Sequence, residues 1–216
     1  MNKHNLFLWG GFAGVVVLVV AGLLFIPAGK EGSTQQTGEP RVVDVSDQTK
    51  GVPTAPLTLV EYSDFQCPAC RAYSSLLKQV KEEFDDKLLF VYRHFPLPNH
   101  LNSVAAAGAA EAVGLQGKFW EMHDVIFENQ KEWSEKPKTQ AKELFTSYAR
   151  ELGLDMERFA VDWESKEIAD KISNAQAEAT RLKLNGTPTF FLNGKLISNP
   201  TSLDKFRELL NTALKP

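Results

Sequence analysis

Cys67 and Cys70 are the only cysteines in the chain, and they stand as Cys67-Pro68-Ala69-Cys70. Two thiols at this spacing can close a small disulfide or attack one, so the first chemistry to consider is thiol–disulfide exchange. Residues 57–71, LTLVEYSDFQCPACR, run from an apolar strand pattern through a short polar turn into the tetrapeptide. That places Cys67 at a helix N-cap, where unpaired backbone N–H groups and the helix dipole favour an anion. Pro68 suits the first helical position, since the N–H it lacks would have no partner there. Cys70 follows one turn later, facing inward. Zinc is disfavoured by ligand arithmetic, because it takes four ligands and no second Cys-x-x-Cys exists. A pair of inert buried thiols is the remaining alternative. The strand-to-helix junction favours a redox dithiol.

The elements that must hold the dithiol can be read from periodicity. Residues 57–62 form a strand too apolar for an exposed edge, which makes Glu61 conspicuous, because a central strand is covered on both faces. A carboxyl in apolar surroundings has a raised pKa and could shuttle the proton of Cys70; the alternative is an outward glutamate with no role. Tyr73, Leu76, Leu77, Val80 and Phe84 recur at helical spacing after the dithiol, and residues 88–92 make a second buried strand. Strand, helix, strand is a parallel βαβ unit. Some eighty residues of helical pattern follow. They comprise 102–113, closed by Gly114; 118–130; 139–152, closed by Gly153; a short helix capped by Asp155; and a long one capped by Ser165. Residues 189–192 and 195–197 then flank Asn193-Gly194, a strong hairpin signal. Residues 202–214 close the chain as a helix. The fold class is α/β with an inserted helical subdomain at about residues 98–184 of a domain spanning 51–216.

VEYSDFQCPAC, together with Thr187-Pro188-Thr189-Phe190, resembles the DsbA-like branch of the thioredoxin superfamily. YRHFPL at residues 92–97, GKFWEMHD at 117–124 and TPTFFLNG at 187–194 extend the resemblance over roughly residues 51–216. It implies a thioredoxin-like fold and a thiol–disulfide oxidoreductase acting on other proteins, with Cys67 as nucleophile and Cys70 resolving the mixed disulfide. Glu61 matches the position of a buried glutamate in that pattern. Thr187-Pro188 aligns with a cis-proline turn that faces the cysteines and offers backbone groups to an extended client peptide. The resemblance also implies a bacterial host and a quinone-linked membrane partner that reoxidises the dithiol. Ala69 departs from the Cys-Pro-His-Cys form, so a weaker oxidant than the family's extreme member is expected. The dithiol is its own prosthetic chemistry, and no metal or nucleotide cofactor is implied. A reductase or isomerase of the same fold, or a metal-delivery or chaperone module, are the competing readings. Copper(I) suits paired thiolates, but no Met cluster or neighbouring His supports it.

Residues 6–26 carry no charge and at helical rise reach about 31 Å, enough to cross a bilayer core. With Lys3 before it, the segment reads as an uncleaved transmembrane anchor after a cytoplasmic tail, residues 1–5. It is longer than a signal-peptide apolar region, and no Ala-x-Ala follows. Either reading puts the dithiol outside the cytoplasm, where disulfides persist. Residues 27–50 are expected as a flexible linker, with a possible short edge strand at 41–45. The net charge of −3 argues against nucleic acid as a partner. His94, His100 and His123 show no metal-ligand spacing and read as packed or capping residues. Phe65, Phe95, Phe119, Trp120 and Trp133 read as core.

Overall fold

The computed structural model describes residues 38–215. The expected membrane anchor and cytoplasmic tail lie outside them. Among the described residues no helix is long and apolar enough to cross a membrane.

Five strands form one sheet: β1 (Gln48–Gly51), β2 (Leu57–Ser63), β3 (Leu88–His94), β4 (Thr189–Leu192) and β5 (Lys195–Ile197), in the order β1-β3-β2-β4-β5. β2 and β3 run parallel in the register Leu59↔Phe90 and Glu61↔Tyr92, and the other pairs are antiparallel. Alternate residues feed two cores. Leu57, Leu59, Phe90, Tyr92, Phe190 and Leu192 enter the larger one, beneath α1 (Pro68–Glu83). Val60, Tyr62, Leu89, Val91 and Phe191 pack on the other face against Ala179 and Leu182. A strand buried on both sides must be apolar at nearly every position, which is why β2 and β3 read as continuous hydrophobic runs. The hairpin falls where Asn193-Gly194 predicts it, with φ of 47° and 78° at its two residues.

Between β3 and β4 lies the helical insertion: α2 (Ser103–Gly114), α3 (Phe119–Glu128), α4 (Gln130–Trp133), α5 (Lys138–Glu151), α6 (Met156–Trp163) and α7 (Lys166–Arg181). α2 is its spine. Its alanines are small enough for α3, α5, α6 and α7 all to approach it, and at Gly108 a Cβ would stand 2.8 Å from the Trp163 ring. Asp155 accepts from Glu157 N–H and Arg158 N–H, and Ser165 from Ile168 N–H, so both expected caps are made. The run 118–130 divides into two helices at Asn129. α8 (Leu203–Ala213) closes the fold beside α1, joined to it by Arg207 and Glu83 at 2.5 Å. This is the thioredoxin-like α/β architecture with a helical insertion that the sequence leads one to expect.

The start of the domain differs from expectation. No strand forms at residues 41–45; the edge strand is β1, which begins within the stretch expected as linker and ends on the first residue of the expected domain. Asp44 turns the chain by accepting from Ser46 N–H at 2.8 Å, and Asp47 N–H donates to Asp44 C=O. Arg41 then reaches Asp47 at 2.6 Å. Asp47 also pairs with Arg93 at 2.9 Å, and Arg93, 2% exposed, further engages Glu178 and the Tyr62 hydroxyl. Residues 41–51 are therefore fastened to the domain by buried charge.

Removing one partner of such a pair leaves the other desolvated and uncompensated. Asp47→Ala should destabilise the protein by about 3 kcal/mol, the low end for a broken buried pair, since Glu178 remains. A fall in the urea midpoint with unchanged slope checks this.

Candidate active site

Cys67 is the N-cap of α1, with φ −72° and ψ 122°, and Pro68 opens the helix. Cys67 keeps 7% of its surface and Cys70 none, and both thiols are free. Cys67 is more covered than an N-cap need be, because the loop before β4 closes over it. The Thr187–Pro188 bond in that loop is cis. Cys67 Sγ lies 3.3 Å from Thr187 C=O and donates to it when protonated. The loop's own shape is held by Thr189 Oγ1 donating to Gly186 C=O at 2.7 Å and Asn199 Nδ2 to Pro188 C=O at 2.8 Å. The five residues singled out from the sequence, Cys67, Cys70, Glu61, Thr187 and Pro188, thus come together.

Their electrostatics divide the two thiols. Cys67 is pulled down to about 5, first by the hydrogen bond from the Cys70 thiol, then by Thr187 and the backbone N–H groups of Cys70 and Ala69, with burial opposing. Cys70 is pushed well up by burial, by its bond to Cys67 and by the charge of Glu61. The pair therefore shares one proton, held on Cys70, and Cys67 is the thiol that ionises more readily. Glu61, 2% exposed in the centre of the sheet, is raised to about 7 by burial, although Ser63 Oγ donates to it at 2.8 Å and Lys81 lies near. Lys81, on α1, stands 4.7 Å from the ring centres of both Phe90 and Trp120, and burial lowers it to about 8. A carboxyl that changes charge near neutrality beside a thiol that resists ionisation can exchange a proton with it.

Several residues that sequence reasoning passed over hold the loop before the dithiol. Asp64, 1% exposed, accepts from Gln66 N–H and Leu97 N–H at 2.8 Å, from His100 at 2.7 Å and from the Ser103 hydroxyl. Gln130, on α4, donates to Phe65 C=O at 2.7 Å and to Cys67 C=O at 2.9 Å. Gln66 donates to Ser134 C=O and accepts from Asn102 N–H, both at 2.7 Å. The signal for Asp64 was available, since an Asp that accepts from the N–H two residues on makes such a turn. Gln130, 63 positions away, carried none. The histidines pair with carboxylates, His94 with Glu111, His100 with Asp64 and His123 with Asp124. His123 is pushed down to about 4 by burial among aromatic rings. Phe65, expected as core, stacks on Tyr92 at 5.3 Å.

The sheet order and the seat of the dithiol define the class of thioredoxin-fold dithiol proteins. The chain belongs to the thioredoxin family, whose model matches residues 44–212. It is 32% identical, over 222 residues and the full length of both chains, to the probable disulfide bond formation protein D of Bacillus cereus. It is 41% identical over 159 residues to the Na(+)/H(+) antiporter NhaA 1 of Mycolicibacterium gilvum; the match takes in 71% of this chain but only 24% of that much longer protein. Among solved structures, a thioredoxin-like oxidoreductase from Silicibacter pomeroyi is 29% identical with a TM-score of 0.66, covering 80% of this chain and 95% of that one. Oxidised BdbD from Bacillus subtilis shares the fold at a TM-score of 0.72 and 23% identity, over 84% of this chain and 98% of that one.

Two outcomes follow from the electrostatics. Thr187 is among the groups that lower Cys67, and its buried hydroxyl is committed to no other partner among the described residues. Thr187→Val, which keeps the shape and removes the donor, should raise the Cys67 pKa by about one unit, read from ultraviolet thiolate absorbance against pH. The second outcome concerns stability. The folded Cys67 lies below the ordinary thiol value of 9.0, so its stabilisation is complete above pH 9 and is lost as pH falls to about 5. The oxidised protein has no such thiolate. The stability advantage of reduced over oxidised protein should therefore widen from pH 5 to pH 9 in paired urea titrations; a constant gap would contradict the assignment.

Proposed function

We propose that this protein is an extracytoplasmic thiol–disulfide oxidoreductase that forms disulfides in client proteins. The observation that carries the reading is the unequal pair: a Cys67 thiol pulled down to about 5 beside a Cys70 thiol pushed well up. Stabilising a thiolate present only after reduction favours the reduced form. Each unit of depression is worth about 30 mV for a two-electron couple, so the disulfide is an electron acceptor. The full-length relative from Bacillus cereus, with disulfide formation in its name, supports the same direction. The antiporter names describe proteins of which this chain spans about a quarter.

In the forward reaction a client thiolate attacks Cys67 Sγ of the Cys67–Cys70 disulfide. The sulfur–sulfur bond breaks, Cys70 leaves as a thiolate, and Glu61 supplies its proton. A second client thiolate then attacks the client sulfur of the mixed disulfide and expels Cys67. The client loses two electrons and the protein gains them as a dithiol. Thr187 and Pro188 bind the client's extended backbone, and the hollow of about 410 Å³ beside them, lined by Thr189, Leu196, Ile197 and Asn199 among others, receives its side chains. Residues 6–26 anchor the domain at the outer face of the membrane, and a membrane redox partner reoxidises the dithiol.

Cys70→Ala cannot form the internal disulfide, but its Cys67 thiolate can attack a client disulfide in the reverse direction, and without Cys70 to expel it the adduct persists. Covalent complexes should be recovered from cells with this variant and disappear on reduction, whereas Cys67→Ala should yield none. Adducts on Cys67→Ala instead would overturn the assignment of the nucleophile.

A further inference from the structure

Beneath the dithiol, Tyr92 is buried at 2% exposure and its hydroxyl has no hydrogen-bond partner among the described residues. It lies opposite Glu61 in the parallel register of β2 and β3, on the sheet face that α1 covers. Its ring is fixed on every side, by Phe65 at 5.3 Å, His94 at 5.3 Å, His123 at 5.2 Å and Phe119 at 5.7 Å. The hydroxyl therefore cannot swing out to water. After burial itself, the charges of Glu61 and Cys70 are the largest influences upon it, with the Ser63 hydroxyl next. The remaining ionisable neighbours are engaged elsewhere: His94 with Glu111, His123 with Asp124, and Asp64 with four donors of its own. Phenylalanine would fill the same space without burying an unpaired hydroxyl, so packing gives no reason for the oxygen.

We propose that Tyr92 is a positioning residue whose hydroxyl, unbonded among the described residues, turns its dipole toward the negative charge that passes between Cys70 and Glu61 during disulfide exchange. The inference rests on the oxidoreductase reading above. When a client thiolate attacks the Cys67–Cys70 disulfide, an electron pair arrives on Cys70 Sγ in a cavity that disfavours it. The proton on Glu61 then moves to Cys70, and the charge passes to the carboxylate. Tyr92 keeps its own proton throughout and supplies that dipole to whichever of the two is charged. Ser63 Oγ, already bonded to Glu61 at 2.8 Å, completes the polar chamber.

Tyr92→Phe removes only that dipole. Oxidised variant and wild-type protein are mixed with a reduced two-cysteine peptide, and the rate is followed from pH 5 to pH 9. The variant should react several-fold more slowly at pH 7, the loss of a preorganised dipole at the developing charge. The limb of its pH profile that reports Glu61 should also move to higher pH. Alkylation of Cys67 in the reduced variant should match wild type, because Cys67 does not need the chamber, and the melting temperature should hold or rise. Equal peptide rates and pH profiles for the two proteins would overturn the inference while leaving the oxidoreductase reading intact. So would a slower variant whose melting temperature and alkylation rate fall in step, since that describes packing. Wild-type protein that fails to oxidise the peptide at all would overturn both.

Discussion

The structure depends on the direction in which the first turn of α1 points its N–H groups. A helix start leaves its first amides without partners, and here they face Cys67 Sγ rather than water. With the Cys70 thiol donating as well, an anion is stabilised at that spot. One turn later the same helix carries Cys70 into the core, where an anion is costly. Two side chains of one chemical type, three residues apart, are thereby given opposite tendencies by a single backbone element. The sheet, the insertion and the Thr187 loop keep that element in place and control what reaches it.

The means of keeping it in place are mostly uncharged. Gln130, Gln66 and Asn102 join the dithiol loop to the insertion through amide side chains and backbone carbonyls. Neutral amides fix geometry without adding a field that would favour or oppose the thiolate. Asp64, the carboxyl in that loop, accepts from four donors. Strong ion pairs are placed farther off, around Arg93 and around Glu111, where they bind β1 and α7 to the sheet.

What the sequence disclosed and what it withheld follow the range of the interactions. The dithiol, its helix, the Asn193-Gly194 turn and the Asp155 and Ser165 caps are local, and each could be read within a few residues. The seat of Thr187 against Cys67 was legible through the resemblance of the whole stretch to known proteins. The edge strand was misplaced because Arg41–Asp47 and Arg93–Asp47 pairing turns the chain at residues that look extended. Gln130 was invisible, since nothing about a glutamine announces that its amide meets two carbonyls 63 and 65 positions earlier. Tyr92 read only as strand, and an unpaired oxygen is a property of its surroundings.

The insertion between β3 and β4 also has a consequence for the order in which the molecule can be made. The dithiol and the first two core strands lie early in the chain, while the strand that completes the site pairs with β2 across a gap in which Thr58 and Asn193 are 135 positions apart. During synthesis from the N-terminus, the reactive cysteines exist for the time taken to make all six inserted helices before Thr187 is available to cover them. Closure of so long a loop is entropically late as well as chronologically late. A newborn chain therefore passes through a stage in which Cys67 is present and the Thr187 loop that lies against it is not. The helices of the insertion, which already grip the dithiol loop through Gln130 and Asn102, are the first shelter that it receives.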